Sequence, residues 1–449
     1  MPVLPRVNTL SARQCHCTGM DGLLILVLLV AAYAAIAFVI HRNKLWEEHI
    51  VFYGPIMAIR TKRVGFFDKF AAFRTFFRIY GSAGVIAVII VSVFITVMLF
   101  ISVRYTLLIQ PEPTGIYKPQ NLLLIPGLNE YVPSTFAVWL AFVITIAVHE
   151  FGHAILCRVE NIKVRTMGAL IAVIPIGFFV EPDEEELDKM KGMPKVRMFG
   201  AGITNNLVVG FSCFVLLILC MGLVTPLSTP VIHGIYKNYP AENAGIPPGS
   251  VVTAINGVPI SSRADISNLL NTTKPGQTLT LTVEKNKIVK DYSLTLAAWP
   301  AEFAGHSSGF MGVQYYDGET IKSAIGGMLS PLGFFQFLVI PFANDTSIQF
   351  LRILAFDTPD TSYYQVPFSG FWDMIHLLFW CAWININVGI FNAIPMVPLD
   401  GGYIFKEGVD RLLDRRGLLK YSSYVTSAVS YLMLVVLISL IALPYMLHM

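Results

Sequence analysis

Five stretches of the chain are long and apolar enough to cross a lipid bilayer, and they limit the fold more than any motif does. They are roughly 22–40, 83–108, 134–157, 199–225 and 423–447; a sixth, 371–393, is more interrupted but rich in Trp, Phe, Leu and Ile. About 20 apolar residues in a helix span a hydrocarbon core. Backbone N–H and C=O groups in lipid must be satisfied within the segment, so such runs are expected to be helical. Composition agrees: of 449 residues 55 % are hydrophobic and 14 % charged, and mean hydropathy is +0.62. The expected fold class is a polytopic α-helical membrane protein with about six transmembrane helices. The net charge of +3 is too small to argue for a nucleic-acid partner.

Lys and Arg in the connections orient the helices. The connection 42–80 carries eight, 158–198 carries seven and 403–422 carries five, whereas 109–133 carries only Lys118. The basic connections are expected on the cytoplasmic side, with the N-terminus outside. The third run then enters from outside, and His149 lies about 13 Å in from its cytoplasmic end. Residues 1–21 read as an N-terminal tail, or as a start placed too early, since Met20 just precedes the first apolar run. Cys15-His16-Cys17 in that tail is a weak metal-binding pattern, and Cys157, Cys213, Cys220 and Cys381 read as small core residues. Residues 168–180 are too short to span and are broken by Pro175 and Gly177, so a hairpin buried against protein is expected there. Residues 323–342 are interrupted by Gly326, Gly327, Pro331 and Gly333, and are expected at the outer interface.

The expected domains are 22–225 (four transmembrane helices), 231–298 (a soluble island), 299–370 (an interfacial or extracytoplasmic connection) and 371–449 (two further transmembrane helices). The island holds YPAENAGIPPGSVVTAINGVPI, a helix-like SRADISNLLN, and the alternating stretches KPGQTLTLTVEKN and DYSLTL. It resembles a PDZ-like domain, which implies a possible extended peptide ligand paired at a sheet edge; a spacer or steric gate is the other reading. Asn271-Thr-Thr and Asn344-Asp-Thr are glycosylation patterns that fall on the expected outer side.

The chemistry begins in IAVHEFGHAIL, residues 146–156. His149 and His153 are four apart and share one helix face. That spacing lets two imidazoles chelate one zinc, with Glu150 acting on its bound water. Ionisable residues this deep in a membrane helix are expensive and point to function; a pair of core histidines leaves Glu150 unexplained. A zinc site needs a third protein ligand. NAIPMVPLDGG, residues 392–402, sets Asp400 near the same side of the membrane, on a helix broken by Pro395 and Pro398. Asp400 is either that ligand or a cap of the next helix.

Together HEFGH and NAIPMVPLDGG resemble the site-2 protease family of intramembrane zinc metalloproteases. The resemblance runs from about residue 50 to 410. It implies one zinc per chain, held by His149, His153 and Asp400, with Glu150 as general base. AGITNN, residues 201–206, resembles a family string on the next core helix, with Ile203 where proline is usual and Asn206 on the family's asparagine. GPIMAIRTKRVG, residues 54–65, resembles a segment of archaeal-type members, and the 168–180 hairpin a β element that pairs with unwound substrate. Asn206 and Asn392 are candidates for substrate-backbone contacts or for helix packing. The implied partners are proteins with transmembrane helices, and the implied activity is regulated intramembrane proteolysis at a cell membrane, with the PDZ-like island outside and the site toward the cytoplasm. A catalytically inactive pseudoprotease or scaffold, and a transporter, are competing readings. The first has no need of four intact site residues, and the second lacks an inverted repeat.

Overall fold

The structure is a computed structural model that describes residues 7–9, 19–227, 229–285, 288–303, 305–316, 318–343, 350–358, 361 and 364–448. The Cys15-His16-Cys17 and Asn344-Asp-Thr motifs lie outside the described residues. In chain order the helices are α1 (Gly19–Arg42), α2 (Arg74–Ile109), α3 (Phe136–Val159), α4 (Glu184–Lys189), α5 (Met193–Met221), α6 (Pro240–Asn243), α7 (Arg263–Asn271), α8 (Gly318–Gly326), α9 (Pro331–Val339), α10 (Phe371–Asn392), α11 (Asp400–Asp414) and α12 (Ser422–Met446). The strands are β1 (Val7–Thr9), β2 (Ile50–Tyr53), β3 (Ile56–Thr61), β4 (Val164–Ala172), β5 (Ile174–Pro182), β6 (Thr225–Pro226), β7 (Val231–Tyr236), β8 (Val251–Ile255), β9 (Val258–Pro259), β10 (Thr278–Lys285), β11 (Ile288–Thr295), β12 (Val313–Tyr316) and β13 (Tyr364–Gln365).

The chain divides into two compact units, residues 16–214 with 380–449, and residues 1–15 with 215–379. Among the described residues, five helical stretches are long and apolar enough to cross a membrane: Gly65–Ile109, α3, α5, α10 and Leu419–Met446. The first expected run falls in α1, a helix of 24 residues whose stretch Val27–Arg42 is apolar among the described residues. The interrupted segment forms Ile321–Leu329 and Pro331–Phe342, bent by 114° where Ser330 caps α9. That bend explains why an apolar stretch of ample length does not make one straight helix. Among the described residues, counting the bent pair as one span raises the number from five to six.

In the first unit the helices expose aliphatic side chains such as Ile86, Ile90 and Val93. Small and polar groups make several of the inner contacts. Tyr80 OH donates to Asn205 Oδ1 at 2.8 Å, Asn205 Nδ2 donates to Val148 O at 3.1 Å, and Asn385 Nδ2 donates to Thr145 Oγ1 at 2.7 Å. Where α3 meets α5, a Cβ on Gly152 would lie 2.6 Å from Ala201 O, so only glycine admits this approach. Glu160 at the end of α3 is buried and paired with both Arg78 and Arg197, at 2.8 and 2.7 Å. The expected 168–180 hairpin is β4 and β5, turning at Val173, whose φ is +70°. It extends a four-stranded antiparallel sheet in the order β2-β3-β4-β5, so β5 is an edge strand.

The second unit holds a sheet in the order β1-β7-β8-β10-β11, with β12 on β7 and β9 on β8. Leu279, Leu281 and Val283 alternate inward along β10 and pack with Ile232, Ile255 and Leu294. α7 starts at a capping box in which Ser262 and Asp265 satisfy each other's backbone N–H groups. The sheet continues past residue 298, the end expected from sequence, to β12. β12 has only four residues, too few for the alternation that reveals β10 and β11.

Candidate metal centre

The three candidate ligands come from two helices of the first unit. α3 carries His149 and His153, one turn apart on one face. α11 begins at Asp400, and its next residues, Gly401 and Gly402, are buried against the backbone of Ala393 and of Met396 and Val397. Asp400 does not cap α11: the N-cap is Leu399, which makes no side-chain cap hydrogen bond. Its carboxylate turns to the histidines instead. His149 Nε2 lies 3.1 Å and His153 Nε2 3.2 Å from Asp400 Oδ2, and the two Nε2 atoms are 3.3 Å apart.

These spacings fit a metal. Four ligands about 2.0–2.1 Å from a tetrahedral zinc stand about 3.3 Å from one another. Among the described residues, His149, His153 and Asp400 form the group of His, Cys, Asp or Glu able to hold a metal ion. Asp400 Oδ2 is buried and has no hydrogen-bond partner among the described residues, although both Nε2 atoms are within reach. Close distance without donor alignment is what atoms aimed at a shared cation would give. The mix of two imidazole nitrogens and one carboxylate oxygen suits zinc and leaves a fourth position open.

α5 supplies the other side of the centre. Met198, Gly202 and Asn206 are spaced four apart and so share one face of that helix. Met198 O accepts from His153 Nδ1–H at 2.9 Å. A Cβ on Gly202 would sit 2.5 Å from His153 Nε2 and 2.7 Å from His149 Cε1, so glycine makes room for both rings. Asn206 reaches His149 Nδ1 at 3.2 Å through its amide. Glu150, beside His149, accepts from Val180 N–H of β5 at 3.1 Å.

His149, His153 and Asp400 therefore converge, Glu150 follows His149 on α3 and is bonded to the edge strand through Val180, and Asn206 lies against His149. Asn392 makes no described hydrogen bond to this cluster; its amide donates to Val388 O of its own helix at 3.1 Å. Sequence reasoning missed Met198, Gly202 and Val180. Met198 and Val180 act through backbone atoms, which no side-chain pattern reveals. Gly202 is visible as the small residue four before Asn206, but only the ring positions say what it makes room for.

The model of Peptidase family M50 matches residues 137–437. The zinc metalloprotease RasP of Shouchella clausii is 30 % identical over 240 residues, which is 49 % of this chain and 52 % of that protein. RasP of Oceanobacillus iheyensis is 26 % identical over 236 residues, 49 % of this chain and 52 % of its own. An uncharacterized protein of Methanocaldococcus jannaschii is 22 % identical over 371 residues, 81 % of this chain and 80 % of its own. The chain thus spans about half the length of the RasP relatives it matches.

Proposed function

The chain belongs to Peptidase family M50, and on that premise we propose that it is an intramembrane zinc metalloprotease that hydrolyses peptide bonds in or near transmembrane segments of membrane-anchored proteins. The observation that carries this reading is the convergence of His149 Nε2, His153 Nε2 and Asp400 Oδ2 at 3.1–3.3 Å, with Oδ2 otherwise unpaired. These atoms would hold one zinc. When bound, zinc supplies Lewis acidity toward water and toward the scissile carbonyl.

The chain's own groups do the rest. Glu150 stands one residue from His149 and acts as the general base, taking a proton from water and passing it to the leaving amide nitrogen. Val180 N–H holds its carboxylate against β5. β5 is the edge of its sheet, so an unwound substrate segment can pair beside it and lie along the Glu150 side of the centre. A substrate helix hides its amides in internal hydrogen bonds, and strand pairing offers them replacements as it opens. Asn392, near the break between α10 and α11, is available for a substrate-backbone contact.

The basic connections 42–80, 158–198 and 403–422 support a cytoplasmic side near the centre, with the N-terminus and the island 231–298 outside. The sheet and the capped α7 support a PDZ-like reading of that island, which makes a peptide ligand or a steric gate its role. The direct test is zinc per chain by mass spectrometry on wild type, His153→Ala and Asp400→Ala. About one zinc, lost from both variants, supports the reading. A well-folded wild type that takes up none overturns it and favours a pseudoprotease.

A further inference from the structure

α5 meets the two histidines through different groups. Met198 O accepts from His153 Nδ1–H at 2.9 Å. A neutral imidazole carries one ring proton, so this bond fixes it on Nδ1 and leaves His153 Nε2 bare toward Asp400. At His149 the neighbour of Nδ1 is the Asn206 amide, with Nδ2 3.2 Å away. In that orientation the ring nitrogen accepts, and the His149 proton is forced onto Nε2. There it points into a space shared with Asp400 Oδ2 and His153 Nε2, at 3.1 and 3.3 Å. A protonated Nε2 cannot bind a metal.

Asn206 itself is at odds with this orientation. It is completely buried, and its Oδ1 has no hydrogen-bond partner among the described residues. Asn205, its neighbour, has both ends satisfied, by Tyr80 OH and by Val148 O. The two ends of an amide have the same shape, and their assignment follows from the hydrogen bonds they make. Turning the Asn206 amide end over end brings Oδ1 to His149 Nδ1 and removes the orphaned acceptor. Oδ1 then accepts from Nδ1–H, and His149 Nε2 is bare like that of His153.

We infer that Asn206 is a positioning residue whose Oδ1 fixes His149 in the tautomer that binds metal. α5 then serves both ligands in the same way, through Met198 O for His153 and Asn206 Oδ1 for His149, with Gly202 between them. The inference rests on the zinc-site reading above. It differs from a substrate contact, since a fully buried amide is closed to an incoming peptide.

The test compares full-length wild type, Asn206→Leu and Asn206→Asp in nanodiscs, by competition for zinc with a chromogenic chelator and by the visible spectrum of the cobalt-substituted protein. Leucine has the same branching and the same number of side-chain heavy atoms but no acceptor; aspartate keeps the acceptor. Asn206→Leu is expected to bind zinc about 10–100-fold more weakly, as for other partners of metal-bound histidines, with an altered cobalt spectrum. Asn206→Asp is expected to bind at least as tightly as wild type, with its spectrum retained. If the leucine variant does not fold, Asn206→Ala removes the same acceptor. Wild-type affinity in a folded variant without the acceptor overturns the inference and leaves the zinc site standing. So does equal weakening in Asn206→Asp. A wild type that binds no zinc overturns the site and the inference together.

Discussion

The sheet of the second unit and the helices of the first are packed by opposite rules. In the sheet unit, Ile232, Ile255, Leu281 and Val283 are buried, and Thr278 and Thr280 face out. Water is the solvent there, and removing apolar surface from it drives assembly. In the helical unit, Ile86, Ile90 and Val93 face out, while Gly152, Asn205, Asn385 and Thr145 join the helices inside. Lipid is as apolar as leucine, so burying leucine gains little there; close packing and interhelical hydrogen bonds take its place. A polar interior is therefore the normal adhesive of such a unit. Histidines and carboxylates can be placed in it without breaking the logic of the packing.

If the chemistry belongs to the helical unit alone, its largest measurable effect follows from one atom pair. Glu150→Gln removes the base and keeps the shape. Cleavage of a membrane-anchored peptide is expected to fall by about 10³-fold, with zinc content unchanged. A variant that still cleaves within tenfold of wild type would take the general-base role from Glu150. The next effect is on folding. Glu160→Ala leaves Arg197, only 13 % exposed, without its carboxylate, whereas Arg78 at 43 % can turn to water. The loss is expected to be about 3 kcal/mol, seen as a lower melting temperature of the purified protein. No shift in melting would mean that water already screens the cluster.

Much of this could be read before any coordinates. Five of the six expected runs appear among the described residues as helices long and apolar enough to cross a membrane, because some twenty largely apolar residues in succession admit few other structures. His149 and His153 were legible because a spacing of four is local to one helix. The meeting of Asp400 with them was legible only through resemblance, since nearly 250 residues of chain separate the two motifs. The Glu160 pairing with Arg78 and Arg197 was not legible, because it joins three elements through charges that look like ordinary connection residues. The bend at Ser330 was partly legible from its glycines and proline, and β12 not at all.

Gly202 tests the packing side of the comparison. In Gly202→Ala the new Cβ would lie 2.5–2.8 Å from the two imidazoles, so rings or helix must shift. Overpacking of this kind costs about 2 kcal/mol. Zinc retention against a chelator should fall, while hydrogen exchange in the sheet unit should be unchanged. Unaltered zinc retention would mean that α5 can yield without moving the rings, and that its close approach is not what sets the site.

The smallest effect comes from the other unit and sharpens the contrast. Ser262 Oγ accepts from Asp265 N–H at 3.3 Å, and Asp265 Oδ2 accepts from the Ser261 hydroxyl at 2.8 Å and from the Ser262 N–H at 2.9 Å. Ser262→Ala removes one half of this cap and should cost about 1 kcal/mol. Amides of residues 263–271 should then exchange about fivefold faster in the full-length protein. The hydrogen bonds from Ser261, first its hydroxyl, hold the Asp265 carboxyl below the usual carboxylate range. A lowered pKa stabilises the fold above the unfolded value, about 3.9, and that contribution is lost as pH falls through the folded value. Acid should therefore loosen the start of α7 even in wild type. Cleavage at neutral pH should not change in Ser262→Ala, because α7 belongs to a unit that supplies none of the residues of the centre. A large loss of cleavage in this variant, with zinc content and melting of the helical unit intact, would make the sheet unit a working part of the reaction and break the division.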